Sequence, residues 1–165
     1  MLVFGFVKPA VADSCRVPSA SMDPTLQGCT GCNNDRVMAN KLIYRFTQPE
    51  RGQVIVLEGV EDDGEDLLIK RVVGVPGDTI GLRGGTLYVN GEPREEPYVH
   101  ANPCVPYVPK SCAFGPVRVP QGRVFVMGDN RANSHDSRFF GAVPVENVEG
   151  EVFLRYWPPG RIGSL

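Results

Sequence analysis

Apolar residues recur along this chain in short runs with a period near two, bounded by glycine and proline, and seldom at the three-to-four spacing of an amphipathic helix. Strand-like runs fall at Val37–Tyr44, Gln53–Leu57, Leu67–Val75, Thr86–Val89, Val124–Met127 and Glu151–Trp157. Turn signals separate them: Pro49-Glu50-Arg51-Gly52, Pro76-Gly77-Asp78, Gly84-Gly85, Asn90-Gly91 and Gly128-Asp129-Asn130. Gly81–Val89 reads as a small hairpin about Gly84-Gly85, and the acidic stretch Glu58–Asp66 as a solvated connection. Glu92–Val119 is rich in proline and alternates little, which predicts an irregular insertion or cap. No segment makes a long helix, so the pattern predicts a mainly β fold.

Composition narrows the picture. With 165 residues, 42% hydrophobic and 22% charged, the chain is long enough for one domain with its own core and is not of disordered type. A net charge of −2 leaves no basic footprint, so no nucleic-acid partner is expected. Met1–Val7 is apolar but is interrupted by Lys8 and Pro9. A spanning helix needs about 20 apolar residues, so this segment alone does not span and reads as membrane-proximal. Five cysteines are present: Cys15, Cys29, Cys32, Cys104 and Cys112. The wide Cys104/Cys112 spacing is unlike the second tight knuckle of a four-cysteine zinc site. That favours two loop disulfides and no metal, with the connectivity left open.

Three stretches carry candidate chemistry. In Val17–Leu26 (VPSASMDPTL), Pro18 and Pro24 bracket a segment whose backbone they bias to extended or turning conformations. Ser19 and Ser21 are two apart and in an extended chain face one side, where one hydroxyl can attack and the other can stabilise an oxyanion. In Leu67–Asp78 (LLIKRVVGVPGD), Lys70 and Arg71 interrupt a run that otherwise reads as a buried strand. Neighbouring side chains on a strand point to opposite faces, so the two charges cannot share one solvent face. Arginine keeps its proton in a protein, whereas burial lowers the pKa of a lysine and makes it a competent base. In Met127–Gly141 (MGDNRANSHDSRFFG), Asp136 and Arg138 can pair, and Ser134 can orient another group. Ser134-His135-Asp136 is not a triad in this reading, because adjacent side chains diverge, and His135 is expected on a surface loop.

Taken in this order, PSASMDPTL, IKRVVGVPGD and GDNRANSHDSRFFG resemble the boxes of type I signal peptidases, the Ser–Lys proteases that remove signal peptides from exported proteins. The resemblance implies a catalytic β-domain of coiled antiparallel sheets with a small cap. It implies Ser21 as nucleophile, Lys70 as general base, Ser19 with the Ser21 N–H as oxyanion hole, Ser134 as the group orienting the lysine, and Asp136 with Arg138 as a structural pair. Val17, Met22, Leu26 and Ile69 fall where the family builds shallow apolar pockets. No cofactor is required, and the expected partners are preprotein signal peptides and a lipid bilayer surface or membrane anchor. The expected location is the cell membrane, with the catalytic domain on the extracytoplasmic face. The organisation expected from this is a membrane-proximal segment over residues 1–13, a catalytic core over residues 14–80 and 120–158, a cap with a disulfide over residues 81–119, and a tail over residues 159–165. The family carries transmembrane helices ahead of the serine box, and its turn before Asp35-Arg36-Val37 is shorter than Gly28–Asn34 (GCTGCNN) here. A self-cleaving repressor would need its own cleavage segment and a DNA-binding domain, which the few residues ahead of Ser21 are not expected to form, and a disulfide- or zinc-bearing binding module would need no dyad.

Overall fold

The structure is a computed structural model describing residues 12–60, 67–100 and 103–165. Residues 1–11, most of the expected membrane-proximal segment, and 61–66 of the acidic connection lie outside it. The strands run β1 (Ala12–Arg16), β2 (Arg36–Asn40), β3 (Val54–Glu58), β4 (Leu67–Gly74), β5 (Thr79–Arg83), β6 (Thr86–Val89), β7 (Glu92–Pro93), β8 (Ala113–Arg118), β9 (Arg123–Met127), β10 (Val143–Pro144), β11 (Val148–Trp157) and β12 (Gly163–Ser164). One short helix, α1 (Ser137–Phe140), and several 3-10 turns join them. The fold is mainly β, as the alternation predicts.

All the pairings are antiparallel. Among the described residues the larger sheet has the order β1-β2-β11-β3-β4-β9-β10, with β12 on β11, and the smaller sheet the order β7-β6-β5-β8. The middle of the larger sheet, β3 and β4, is buried on both faces. Along β3, Val54 and Val56 join a core with Val17, Met22, Leu26 and Ile69, whereas Ile55 and Leu57 join another with Leu68, Val72, Val124 and Val126. A third cluster, around Ile80, Leu82, Phe125 and Met127, welds the smaller sheet to the larger. Burial on both faces explains why β4 reads as a nearly continuous apolar run, and why its two cations have no route to solvent.

Two local expectations differ. The run Val37–Tyr44 breaks after Asn40, whose side chain accepts the Leu42 N–H at 3.0 Å. The chain then turns through a 3-10 helix at Ile43–Arg45, because an asparagine side chain offers the backbone an alternative to the ladder. The stretch read as irregular contains β8, paired with β5 from Thr79↔Arg118 to Arg83↔Ala113. Its alternation is hidden by Gly115 at φ 73° and by Pro116, which sit where the register shifts. At the C-terminal end, Leu154↔Ser164 and Arg155↔Gly163 pair β12 with β11.

Asp78 fastens the β4–β5 turn. It accepts from Arg51 Nε and Nη2 at 2.7 and 2.6 Å, from the Val75 N–H at 2.9 Å and from Asn90 Nδ2 at 2.9 Å. Burial alone would raise this carboxyl, but the Arg51 guanidinium and the other donors outweigh burial and bring it down to about 2. A carboxylate lowered in the folded state lends its stability above its unfolded pKa of about 4 and loses it as pH falls towards the folded value. The urea midpoint of the wild type is therefore expected to drop more steeply between about pH 4 and 2 than that of Asp78→Asn; parallel curves would disprove the role.

Candidate active site

Ser21 sits on a 3-10 turn, Ala20–Met22, the turning form of the extended or turning backbone that the two prolines favour. Ser19 just before it is extended, at φ −141° and ψ 168°. The turn is anchored from below by Met22 and Leu26, both buried, with the Leu26 N–H bonded to the Met22 carbonyl at 2.9 Å. The two hydroxyls still converge, because Ser19 Oγ donates to Ser21 Oγ at 3.2 Å.

Lys70 reaches the same oxygen from β4. Its Nζ lies 2.7 Å from Ser21 Oγ, and the residue is 2% exposed. Arg71, next along the strand, is 8% exposed and turns the other way, as alternation requires. Its guanidinium makes a bidentate pair with Asp129, at 2.9 and 2.7 Å, and donates to the Gly52 carbonyl at 2.7 Å. The Tyr98 ring covers it, with the guanidinium carbon 3.8 Å from the ring centroid.

The loop after β9 holds these pieces in register. Thr25 Oγ1 donates to Asp129 at 2.6 Å, so one carboxylate ties β4 to the serine segment. Asn130 donates its backbone N–H to the Ser21 carbonyl at 3.0 Å and its Nδ2 to the Ala20 carbonyl at 3.2 Å, fixing the turn that presents the hydroxyl. Asp136 caps α1 by accepting the Arg138 N–H at 3.2 Å, grips the Arg138 side chain at 2.8 Å through each oxygen, and takes the Gly128 N–H at 3.0 Å. Burial pushes the Asp136 carboxyl up, but the Arg138 guanidinium and the Gly128 amide outweigh it and hold it below the usual carboxylate range. Arg131 donates to the Gly128 carbonyl at 3.0 Å and pairs at 2.6 Å with Glu96 of the cap.

The structure thus brings Ser19, Ser21 and Lys70 together and joins Asp136 to Arg138. Ser134 reaches the cluster without bonding the lysine: its Oγ is buried, with no hydrogen-bond partner among the described residues. Val17, Met22, Leu26 and Ile69 share one core cluster and are 0–2% exposed, so they form an apolar floor rather than open hollows. His135 is exposed and stacks on Phe139, with centroids 4.9 Å apart. Cys29 is bonded to Cys32 and Cys104 to Cys112, leaving Cys15 as the buried thiol. The sequence reading assigned no role to Asp129, Asn130, Glu96 or Tyr98. A buried arginine needs a carboxylate, and that requirement is the one signal that could have pointed towards Asp129 in the turn after an apolar strand.

Gly128 is the tightest point. A Cβ placed there would run into Ser134 Oγ and the Ser21 carbonyl. Gly128→Ala is expected to push the serine turn away from Lys70. It should cost about 1–3 kcal/mol in stability and lower turnover by a larger factor than that loss explains, read by chemical denaturation beside peptide cleavage. Unchanged turnover would show that this contact does not set the register.

Comparison with known proteins places these features. Residues 1–157 match the family described as signal peptidase, peptidase S26. The chain is 40% identical over 163 residues to the probable signal peptidase I-2 of Synechocystis sp., covering 96% of this chain and 69% of that protein. It is 40% identical over 202 residues to the signal peptidase I of Mycobacterium tuberculosis, covering 94% and 68%. The crystal structure of a signal peptidase I from Enterococcus faecalis superposes with a TM-score of 0.52 at 33% identity, covering 64% of this chain and 97% of that one.

Proposed function

The chain belongs to the peptidase S26 family of signal peptidases and is a serine endopeptidase; on that premise we propose that Ser21 and Lys70 form its catalytic dyad. The observation that carries the reading is the 2.7 Å contact between a buried lysine nitrogen and a serine oxygen. Burial disfavours the ammonium and so favours the neutral amine, the form that accepts a proton. Lys70 takes the Ser21 proton as Oγ attacks the scissile carbonyl, and returns it to the leaving amine. An acyl-enzyme remains, which water activated by the same amine hydrolyses. Ser19 Oγ and the Ser21 N–H are the donors for the developing oxyanion. Asp129 and Asn130 act through the turn and are positioning residues.

The substrate is a preprotein with small side chains ahead of the cut, of Ala-x-Ala type. Two observations support it. The apolar floor of Val17, Met22, Leu26 and Ile69 is closed, so it suits methyl-sized groups better than large ones. Moreover, among the described residues β9 pairs with β4 along Arg71, Val72 and Gly74, and an extended peptide can lie against β4 at Leu67–Ile69. The reaction is assigned to a membrane surface on the extracytoplasmic side. No helix among the described residues is long and apolar enough to cross a membrane, but Phe153, Trp157, Ile162 and Leu165 are exposed apolar groups at the β11–β12 end of the sheet.

Cleavage of a synthetic Ala-x-Ala preprotein tests the dyad. Ser21→Ala and Lys70→Met are each expected to lower kcat/KM by about 10³-fold or more while the fold persists. Equal activity in all three proteins would sink the proposal. Ser19→Ala removes one oxyanion donor and is expected to cost about 10²–10³ in kcat with little change in KM.

A further inference from the structure

The Cys29–Cys32 loop takes no part in the chemistry above, yet it is built onto the serine segment. Its neck is closed without the disulfide: the Gln27 carbonyl takes the Asp35 N–H at 2.8 Å, and Asp35 Oδ2 takes the Gln27 N–H at 2.8 Å. Gly28 lies flush on the strand leading to Ser21, where a Cβ would come within 2.6 Å of the Val17 carbonyl and 2.8 Å of the Ser19 carbonyl. Both cysteines are exposed, and Cys29 lines a hollow of about 380 Å³ between Arg16, Pro18 and the loop. Inside the loop Asn34 is buried; its Oδ1 accepts the Cys29 N–H at 2.9 Å and lies 2.9 Å from Cys32 Sγ. A thiol at Cys32 therefore finds its acceptor already in place. Arg16 donates to the Cys32 carbonyl at 3.2 Å, setting a fixed positive charge against the loop, which favours a thiolate. The other disulfide differs. Cys104 and Cys112 are half-buried, Gly85 lies against Cys104, and Ser111 beside them bonds the Val105 and Val108 carbonyls.

We propose that Cys29–Cys32 is a thiol–disulfide exchange site that takes a dithiol as its partner, and that the backbone carrying Ser19 and Ser21 reads its state. The second half rests on the catalytic reading above. A thiolate of the dithiol attacks Cys29 Sγ; the Cys29–Cys32 bond breaks, and Cys32 leaves as a thiolate beside Arg16 and takes up a proton. The partner's second thiol then attacks the partner sulfur of the mixed disulfide. Cys29 is released as a thiol and the partner becomes a disulfide, so two electrons and two protons pass to the pair. Because Asp35 and Asn34 hold the loop in both states, the exchange is reversible without unfolding.

The test is titration of the oxidised chain with dithiothreitol, trapping of thiols with iodoacetamide and peptide mapping. Cys29 and Cys32 are expected to be alkylated together at about tenfold less dithiothreitol than Cys104 and Cys112, and Arg16→Gln to slow their opening. Simultaneous opening of the two disulfides, or earlier opening of Cys104–Cys112, overturns the exchange site. Preprotein cleavage is then measured with only Cys29–Cys32 reduced. A change in kcat/KM of about threefold or more, with a Cys29→Ser/Cys32→Ser variant fixed at the reduced-form rate and blind to dithiothreitol, supports the coupling; identical rates overturn it. If no form cleaves the preprotein, the catalytic reading fails, while the alkylation pattern still decides the exchange site.

Discussion

Two cations stand side by side on a strand whose faces are both covered, and most of the site follows from how each is accommodated. A buried guanidinium cannot shed its proton, so Arg71 requires a carboxylate within the core, and Asp129 supplies it with both oxygens. That carboxylate must come from somewhere, and it comes on the loop after β9, which thereby has to lie across β4. Thr25 shares the same carboxylate, so the serine segment is drawn to the same place. The amine of Lys70 reaches the Ser21 hydroxyl at 2.7 Å, so the two neighbours on the strand are held by different kinds of contact.

The loop after β9 is itself held by buried charge. Asp136 and Arg138 satisfy each other, and they reach outward to the Gly128 amide, the Arg131 carbonyl and the Lys110 carbonyl of the cap. Glu96 meets Arg131, and the Tyr98 phenol, pushed up to about 12 by burial and the adjacent Glu96, stays neutral and donates to that carboxylate at 3.1 Å. The cap is thus joined to the core through polar contacts at the back of the dyad as well as through the apolar cluster around Phe125. Loosening any of these would be felt first in the placement of Ser21, not in the bulk of the fold.

Much of this was legible in the sequence because it is local. Alternation marks β3, β4 and β9, and the Lys70-Arg71 interruption marks the charge that has to be resolved. β8 was missed because Gly115 and Pro116 break the period at a register shift, and the end of β2 was misplaced because a single asparagine side chain diverts the backbone. The residues that carried no role, Asp129, Asn130, Glu96 and Tyr98, act across long stretches of chain; nothing in their immediate neighbours distinguishes them from ordinary turn and cap residues. Ser134, which the resemblance to signal peptidases gives the role of orienting the lysine, has its hydroxyl buried against Gly128.

Leu67–Ile69 of β4, beyond its pairing with β9, carry a demand on whatever lies against them. An α-helix spends its amide and carbonyl groups internally and has none to offer an open ladder, so a helical segment slides past such an edge without being held. Only chain that unwinds at low cost can register there, and small or helix-breaking residues unwind most readily where no side chain rewards the coil. Under the proposed reading, a preprotein would be selected as much by the ease with which its last few residues give up a helix as by the size of their side chains. A processing site would then be a place of local melting.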